Sequence, residues 1–377
     1  MNIFSWARLV AVLVKEFVQM RRDRLTFAMM VGIPIIQLIL FGFAINSDPR
    51  HLPAAVLAAD SSVFSRSFIR AMENSDYFRI KRVVASPAEG ERLLQRGEIQ
   101  FFITVPEDFS RKLQRGERPV LLVEADATDP AATSNALAGL AALNQTALDH
   151  DLTGPLAALT QGPAPFEVRV QRRYNPEGIT QYNIVPGLMG VVLTMTMVMM
   201  TALSVTRERE RGTMENLLAT PVRPIEVMTG KIVPYIIVGY IQVAIILLAA
   251  KFLFAVPVLG SLALLSAVLV LFMAANLAVG FTFSTLAASQ LQAMQMAFFF
   301  FLPSLMLSGF MFPFRGMPDW AQALGEIFPL THFVRVVRGI LLKGNDVAEI
   351  LPNVWPIGAF LLAAGAVALA RYRETLD

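Results

Sequence analysis

The chain has 377 residues, 55% of them hydrophobic and 16% charged, with a mean hydropathy of +0.55, which excludes an ordinary soluble globule and fits a membrane protein. A formal charge of +3, with basic residues clustered beside apolar runs, leaves no nucleic-acid footprint. Cys is absent and His occurs three times, so a disulfide framework and a thiolate metal site are excluded and a His-based zinc site is a poor fit.

Residues 1–26 carry no helix breaker over Asn2–Arg24. At about 100° per residue, Ile3, Trp6, Val10, Leu13 and Phe17 share one face, with Arg8, Lys15, Gln19 and Arg22 opposite. That pattern predicts an amphipathic helix lying in the cytoplasmic interface; packing on a soluble partner is the alternative. Six apolar runs are then long enough to cross a hydrocarbon core of about 30 Å: Phe27–Ile45, Ile184–Thr206, Ile232–Phe254, Ser261–Phe283, Gln290–Phe312 and Val354–Ala370. The apolar core of the first exceeds a signal-peptide h-region, so this run is expected to remain as an anchor.

The charges are uneven: 32 of the 61 fall between Ile45 and Ile179, which marks residues 46–178 as a soluble insert between spans 1 and 2. Short apolar runs read as strands at Pro53–Ala59, Tyr77–Val84, Ile99–Val105, Val120–Ala125 and Phe166–Val170. Helices are expected at Ser62–Glu73, Pro87–Arg96, Glu107–Arg115 and Thr133–Leu152, with Ser86-Pro87 and Val105-Pro106 placing Pro at helix starts. The insert is therefore an α/β domain, with 154–165 as a looser return. Asp126 and Asp129, flanked by Thr128 and Pro130, read as a turn in preference to a carboxylate pair.

Basic residues fix the direction of the spans. Arg21, Arg22 and Arg24 precede span 1; Arg207, Arg209, Arg211, Arg223 and Lys231 lie between spans 2 and 3; Arg371 and Arg373 follow span 6. With six spans all three groups share one side, the cytoplasm, so both termini are cytoplasmic and the α/β domain is extracytoplasmic. Its own Arg169, Arg172 and Arg173 do not oppose this, because long loops translocate largely regardless of charge. Lys251, near the outer end of span 3, reads as a snorkelling anchor.

In the connector from Thr206 to Glu226 a plain positive-inside loop would explain the arginines but not equally many glutamates, nor a Gly-Thr break followed by Thr-Pro. Alternating charges extend span 2 beyond the membrane; Gly212 can break the helix, and Thr213 can cap a short one ending near Thr220-Pro221. In it Met214, Leu217 and Leu218 share a face. A short helix of this kind at the base of two spans is a rigid lever.

Four patterns resemble the permease subunits of ABC-2 type ATP-binding-cassette exporters, in the multidrug-exporter-like branch with a large external domain. They are Arg207, Glu208, Glu210, Gly212, Thr213, Glu215, Leu217 or Leu218, Thr220 and Pro221; Leu307 to Pro313 with Met317-Pro318; Pro329 to Phe333 with Arg338-Gly339; and Asn175-Pro176 leading to Val185-Pro186-Gly187. The resemblance implies a mainly α membrane protein with spans 27–45 and five more within 179–377, a coupling helix at 207–221, and a re-entrant segment at 313–345 in which Arg335 and Arg338 are interfacial or anchor the outer surface. It implies that Arg207, Glu208, Glu210, Gly212, Thr213, Glu215, Leu218, Thr220 and Pro221 couple the permease to an ATPase subunit. It also implies a second permease copy or sister permease (a homodimer or heterodimer), a membrane-fusion or periplasmic adaptor as a further partner, and multi-pass residence in the inner membrane.

The chain has no phosphate loop of its own: Gly230-Lys231 is followed by Ile232. It is therefore expected to be no enzyme and to carry no cofactor, ATP and Mg being bound by the partner ATPase. Two other classes compete. An ion-coupled secondary transporter is opposed by the scarcity of ionisable groups in the spans, and a receptor or sensor with an external domain leaves the connector unexplained. For the cargo route, Met189, Met197 and Met200 in span 2 and Gln292, Gln295 and Met296 in span 5 are the candidates. Flexible thioethers adapt to varied apolar shapes, and buried Gln needs a polar partner or a wet cavity. Amphipathic, drug-like or lipid-like cargo is the expectation; lipid-facing or bundle-filling roles are the alternative.

Overall fold

A computed structural model describes residues 49–160, 162–210 and 224–374. The expected interface helix over 1–26 and span 1 over 27–45 lie outside the described residues, as does the connector from 211 to 223.

The α/β unit runs β1 (Leu52–Ala58), α1 (Val63–Asn74), β2 (Phe78–Val83), α2 (Pro87–Gln95), β3 (Phe101–Val105), α3 (Phe109–Gln114), β4 (Val120–Asp126), α4 (Pro130–Thr146), a 3-10 turn at Gly154–Thr160 and β5 (Glu167–Arg173). The sheet order is β2-β1-β3-β4-β5, with only β3 and β4 antiparallel. Alternation sends β1 and β3 side chains to both faces. Ala54, Val56, Phe101 and Ile103 pack with Phe68, Phe109, Leu140 and Phe166, whereas Ala55 and Phe102 pack with Leu93 and Leu94 of α2. The first strand therefore reads as a continuous apolar run because both of its faces are covered.

Several boundaries differ from the sequence reading: α4 ends at Thr146, six residues before Leu152, β5 runs to Arg173, three beyond Val170, and two helix starts move. Helix α3 starts at Phe109, two residues beyond Glu107, because Pro106 and Asp108 form the preceding turn. Helix α4 starts at Pro130, three residues before Thr133: Asp129 is the N-cap and Pro130 occupies the first turn, where no N–H is required.

The second unit is helical: α5 (Thr180–Glu210), α6 (Pro224–Phe252), α7 (Leu262–Leu286), α8 (Gln290–Leu307), a 3-10 turn at Phe314–Gly316, α9 (Asp319–Gly325), α10 (Pro329–Arg338), a π turn at Gly339–Lys343 and α11 (Val347–Glu374). Among the described residues, five helices are long and apolar enough to cross a membrane: Thr180–Ser204, Pro234–Phe252, Leu262–Leu286, Gln290–Leu307 and Val347–Ala370. Helix α7 lies at the centre, packed along α5 and α11. Its Gly280 sits so close to α5 that a Cβ there would lie 2.6 Å from the Val198 carbonyl oxygen and 2.7 Å from Thr201 Cβ. The core of this unit joins Met189, Leu193 and Met197 of α5 to Phe272 and Met273 of α7 and Leu330 and Phe333 of α10. The Phe272 and Phe333 rings stack at 4.1 Å.

Span 5 stops at Leu307, five residues before the expected Phe312, because Gly309 takes a left-handed backbone (φ 77°) that ends the helix. The last helix starts seven residues before the expected Val354 and passes through Pro352 and Pro356, each of which removes a single helical hydrogen bond.

Candidate functional site

Helix α5 outlasts its apolar part. Beyond Ser204 it continues to Glu210, carrying an exposed Arg207 and, on the helix, Glu208. The Glu210 carboxylate accepts hydrogen bonds from the backbone N–H of Gln290 (2.7 Å) and from the Gln290 side-chain amide. Gln290 is the first residue of α8, so an anion sits where unpaired N–H groups and the helix dipole favour it. The backbone and side-chain bonds from Gln290 hold the Glu210 carboxyl below its ordinary range. The last turn of span 2 is thereby clamped to the first turn of span 5. Of the other expected coupling residues, Gly212, Thr213, Glu215, Leu218, Thr220 and Pro221 lie outside the described residues.

The cargo-route candidates separate into two groups. Met189 and Met197 are fully buried in the core between α5, α7 and α10, so within one protomer they fill the bundle. Met200 and Met296 are half-buried, and Met296 packs beside Ala202 and Ala293. Gln292 finds its polar partner locally: its side-chain oxygen accepts from Ala288 N (2.5 Å), while Ser289 Oγ accepts from Gln292 N (3.2 Å), an arrangement that caps α8. Gln295 lacks such a solution, and its amide oxygen is buried with no hydrogen-bond partner among the described residues.

At the opposite end of the bundle the α/β unit is anchored by residues that the sequence reading passed over. Lys343, on the π turn, donates to Asp126 Oδ2 (2.5 Å) and to the Leu94 carbonyl (3.2 Å), and lies 5.0 Å from the centre of the Tyr174 ring. Both Lys343 and Asp126 side chains are under a tenth exposed. Asn345 donates to the Gln95 carbonyl (3.1 Å). Asp126 also accepts from the N–H and hydroxyl of Thr128, so the Asp-x-Thr turn is real but has a second use. Burial raises the pKa of both the Asp129 carboxyl and the Tyr174 hydroxyl here.

Arg338 is buried, which overturns the outer-surface reading for it. It donates to Asn183 Oδ1 (2.5 Å) and to the Asn183 and Gly309 carbonyls. Arg335 instead makes a two-point ion pair with Glu326 (2.7 and 3.1 Å) and lies over the Phe314 ring. Arg335 and Arg338, with Gly309 and Phe314, line a cavity of about 290 Å³ between the sheet unit and the bundle. The one sequence signal for the anchor was a lone Lys closing an apolar run before Gly344-Asn345.

Residues 24–370 match the family described as ABC-2 family transporter protein. The chain is 32% identical to "Probable multidrug ABC transporter permease YbhS" of Escherichia coli K12, over 97% of this chain and 95% of that one. It is 29% identical to "Probable multidrug ABC transporter permease YbhR" of the same organism, over 97% and 98%. It is 28% identical to "Inner membrane transport permease YhhJ", also of that organism, over 91% and 93%.

Proposed function

The chain belongs to the ABC-2 family of transporter proteins, and on that premise we propose that it is the permease subunit of an exporter driven by a separate ATPase subunit. Its cargo is amphipathic, drug-like or lipid-like, and leaves from the cytoplasm or the inner membrane. Relatives named as multidrug and inner-membrane permeases support this reading, as does the absence of a phosphate loop from the sequence. ATP and Mg are held by the partner, and the permease works with a second copy or a sister chain. An adaptor protein continues the route outward. The termini face the cytoplasm and the α/β domain faces the periplasm.

The observation that carries the coupling proposal is the clamp between Glu210 and Gln290. A push on the connector by a closing ATPase reaches spans 2 and 5 together, because the carboxylate ties their ends. Arg207, Glu208 and Glu210, followed by Gly212, Thr213, Glu215, Leu218, Thr220 and Pro221, form the docking element: mixed charges orient the partner and the short apolar face fills its groove. Met200, Gln295 and Met296 are the cargo-contacting candidates, Gln295 because its buried oxygen has no donor among the described residues. The test is Glu210→Lys in the full chain with its ATPase partner. Membrane insertion should be unchanged and cargo-stimulated ATP turnover should be lost; turnover stimulated as in wild type overturns the coupling role.

A further inference from the structure

The edge of the sheet unit nearest the bundle carries a basic groove that the exporter reading does not use. It has a volume of about 730 Å³ and is lined by Arg50, Arg79, Lys81 and Arg315, with Asp319 as its carboxylate. Among the described residues, no carboxylate forms an ion pair with Arg79, Lys81 or Arg315. The charges are felt: after partial burial, the causes that lower the Lys81 pKa are Arg315 and Arg79. Local backbone aims Lys81. The pairing of β1 with β2 steps from Ala54 opposite Ile80 to Ala55 opposite Arg82, so Lys81 is the extra residue of a bulge on the edge strand, a device that redirects a side chain.

The groove also has a definite depth. Arg315 stands on the 3-10 turn just after α8, one of the span-length helices. Asp319 begins α9, whose Trp320 and Leu324 are exposed, as is Ile327 just beyond it. Exposed Trp beside aliphatic side chains is the composition of a membrane interface. Arg50 follows the apolar run Phe27–Ile45 by five residues, a reach of about 17 Å at most from the end of that run. Arg79, Lys81 and Arg315, which have no carboxylate partner among the described residues, stand at headgroup level, where the available anion is phosphate.

We propose that Arg79, Lys81 and Arg315, together with Arg50, bind the phosphate of an anionic lipid headgroup at the membrane surface beside the α/β unit. The site rests on the membrane-span reading and is independent of the ATPase coupling, so its failure would leave that proposal standing. The test uses the purified full chain in nanodiscs and in detergent. Phosphatidylglycerol, diacylglycerol and inorganic phosphate are the three probes, and retained lipid is read by native mass spectrometry. Arg79→Gln with Lys81→Gln, both exposed on an edge strand, should weaken phosphatidylglycerol binding roughly 30-fold, from about fivefold per cationic side chain near an anionic surface. Arg315→Gln should weaken it further, and diacylglycerol, which lacks the phosphate, should not be retained. Equal retention by the Arg79→Gln/Lys81→Gln chain overturns the site. Displacement of the lipid by millimolar inorganic phosphate also overturns it, since the groove would then serve a soluble anion.

Discussion

Lys343→Met is the sharpest test of how the α/β unit is held to the bundle. The substitution keeps an unbranched apolar stem but leaves Asp126 buried without its cation. Breaking a buried pair by removing one partner costs about 3–5 kcal/mol. Asp126 retains two hydrogen bonds from Thr128, so even with the Leu94 carbonyl losing its donor the low end, about 3 kcal/mol, is the expected cost. At about 1.4 kcal/mol per tenfold, the opened junction becomes about a hundredfold more populated. Hydrogen–deuterium exchange on the full chain should read this as a matching acceleration in peptides covering Leu94–Gln100 and Gly339–Asn345, with α7 unchanged. In the double variant Asp126→Asn/Lys343→Met no unpaired charge is buried, so at least half of the loss should return. If the two single effects simply add, the ion pair does not hold the junction and the reasoning fails.

Asp60 accepts hydrogen bonds from the N–H groups of Ser62 (2.6 Å) and Ser110 (2.7 Å). Burial pushes its carboxyl up, but those bonds outweigh it and the net shift is downward. Its stabilisation is therefore present above the unfolded value of about 4 and is lost as the pH falls through the folded value; Asp60→Asn should flatten that acid limb and lower stability at neutral pH by on the order of 2 kcal/mol, which acid titration of the unfolding transition would check. Gly280→Ala should force α5 and α7 apart at a cost of about 1–3 kcal/mol, read as a lower melting temperature; an unchanged melting temperature would show that the close approach is not needed. Phe333→Ala, which removes a buried ring stacked on Phe272, should cost about 3–5 kcal/mol in the same assay. Because Cys is absent, a single Cys at Ser75 should react with an impermeant thiol reagent from outside intact cells, and one at Thr213 only after lysis; labelling of both from one side would refute the proposed topology.

Elements whose causes are local were legible in the amino-acid sequence. Strands β1 to β4 fall within two residues of their expected positions, because alternation and flanking turn residues act over a few positions. Five apolar runs became span-length helices for the same reason. Larger boundary shifts include Gly309 cutting span 5 short, Pro130 starting α4 early, α4 ending at Thr146 and the last helix starting at Val347. The sites were another matter. Glu210 and Gln290 are 80 positions apart, and Lys343 and Asp126 are 217 apart. No periodicity links such pairs, since their meeting depends on how α5, α8 and the π turn pack. Met189 and Gln292 have the residue types of a cargo route, yet the fold gives one to the core and the other to a helix cap. A thioether or an amide suits several environments, and only packing selects which one surrounds it.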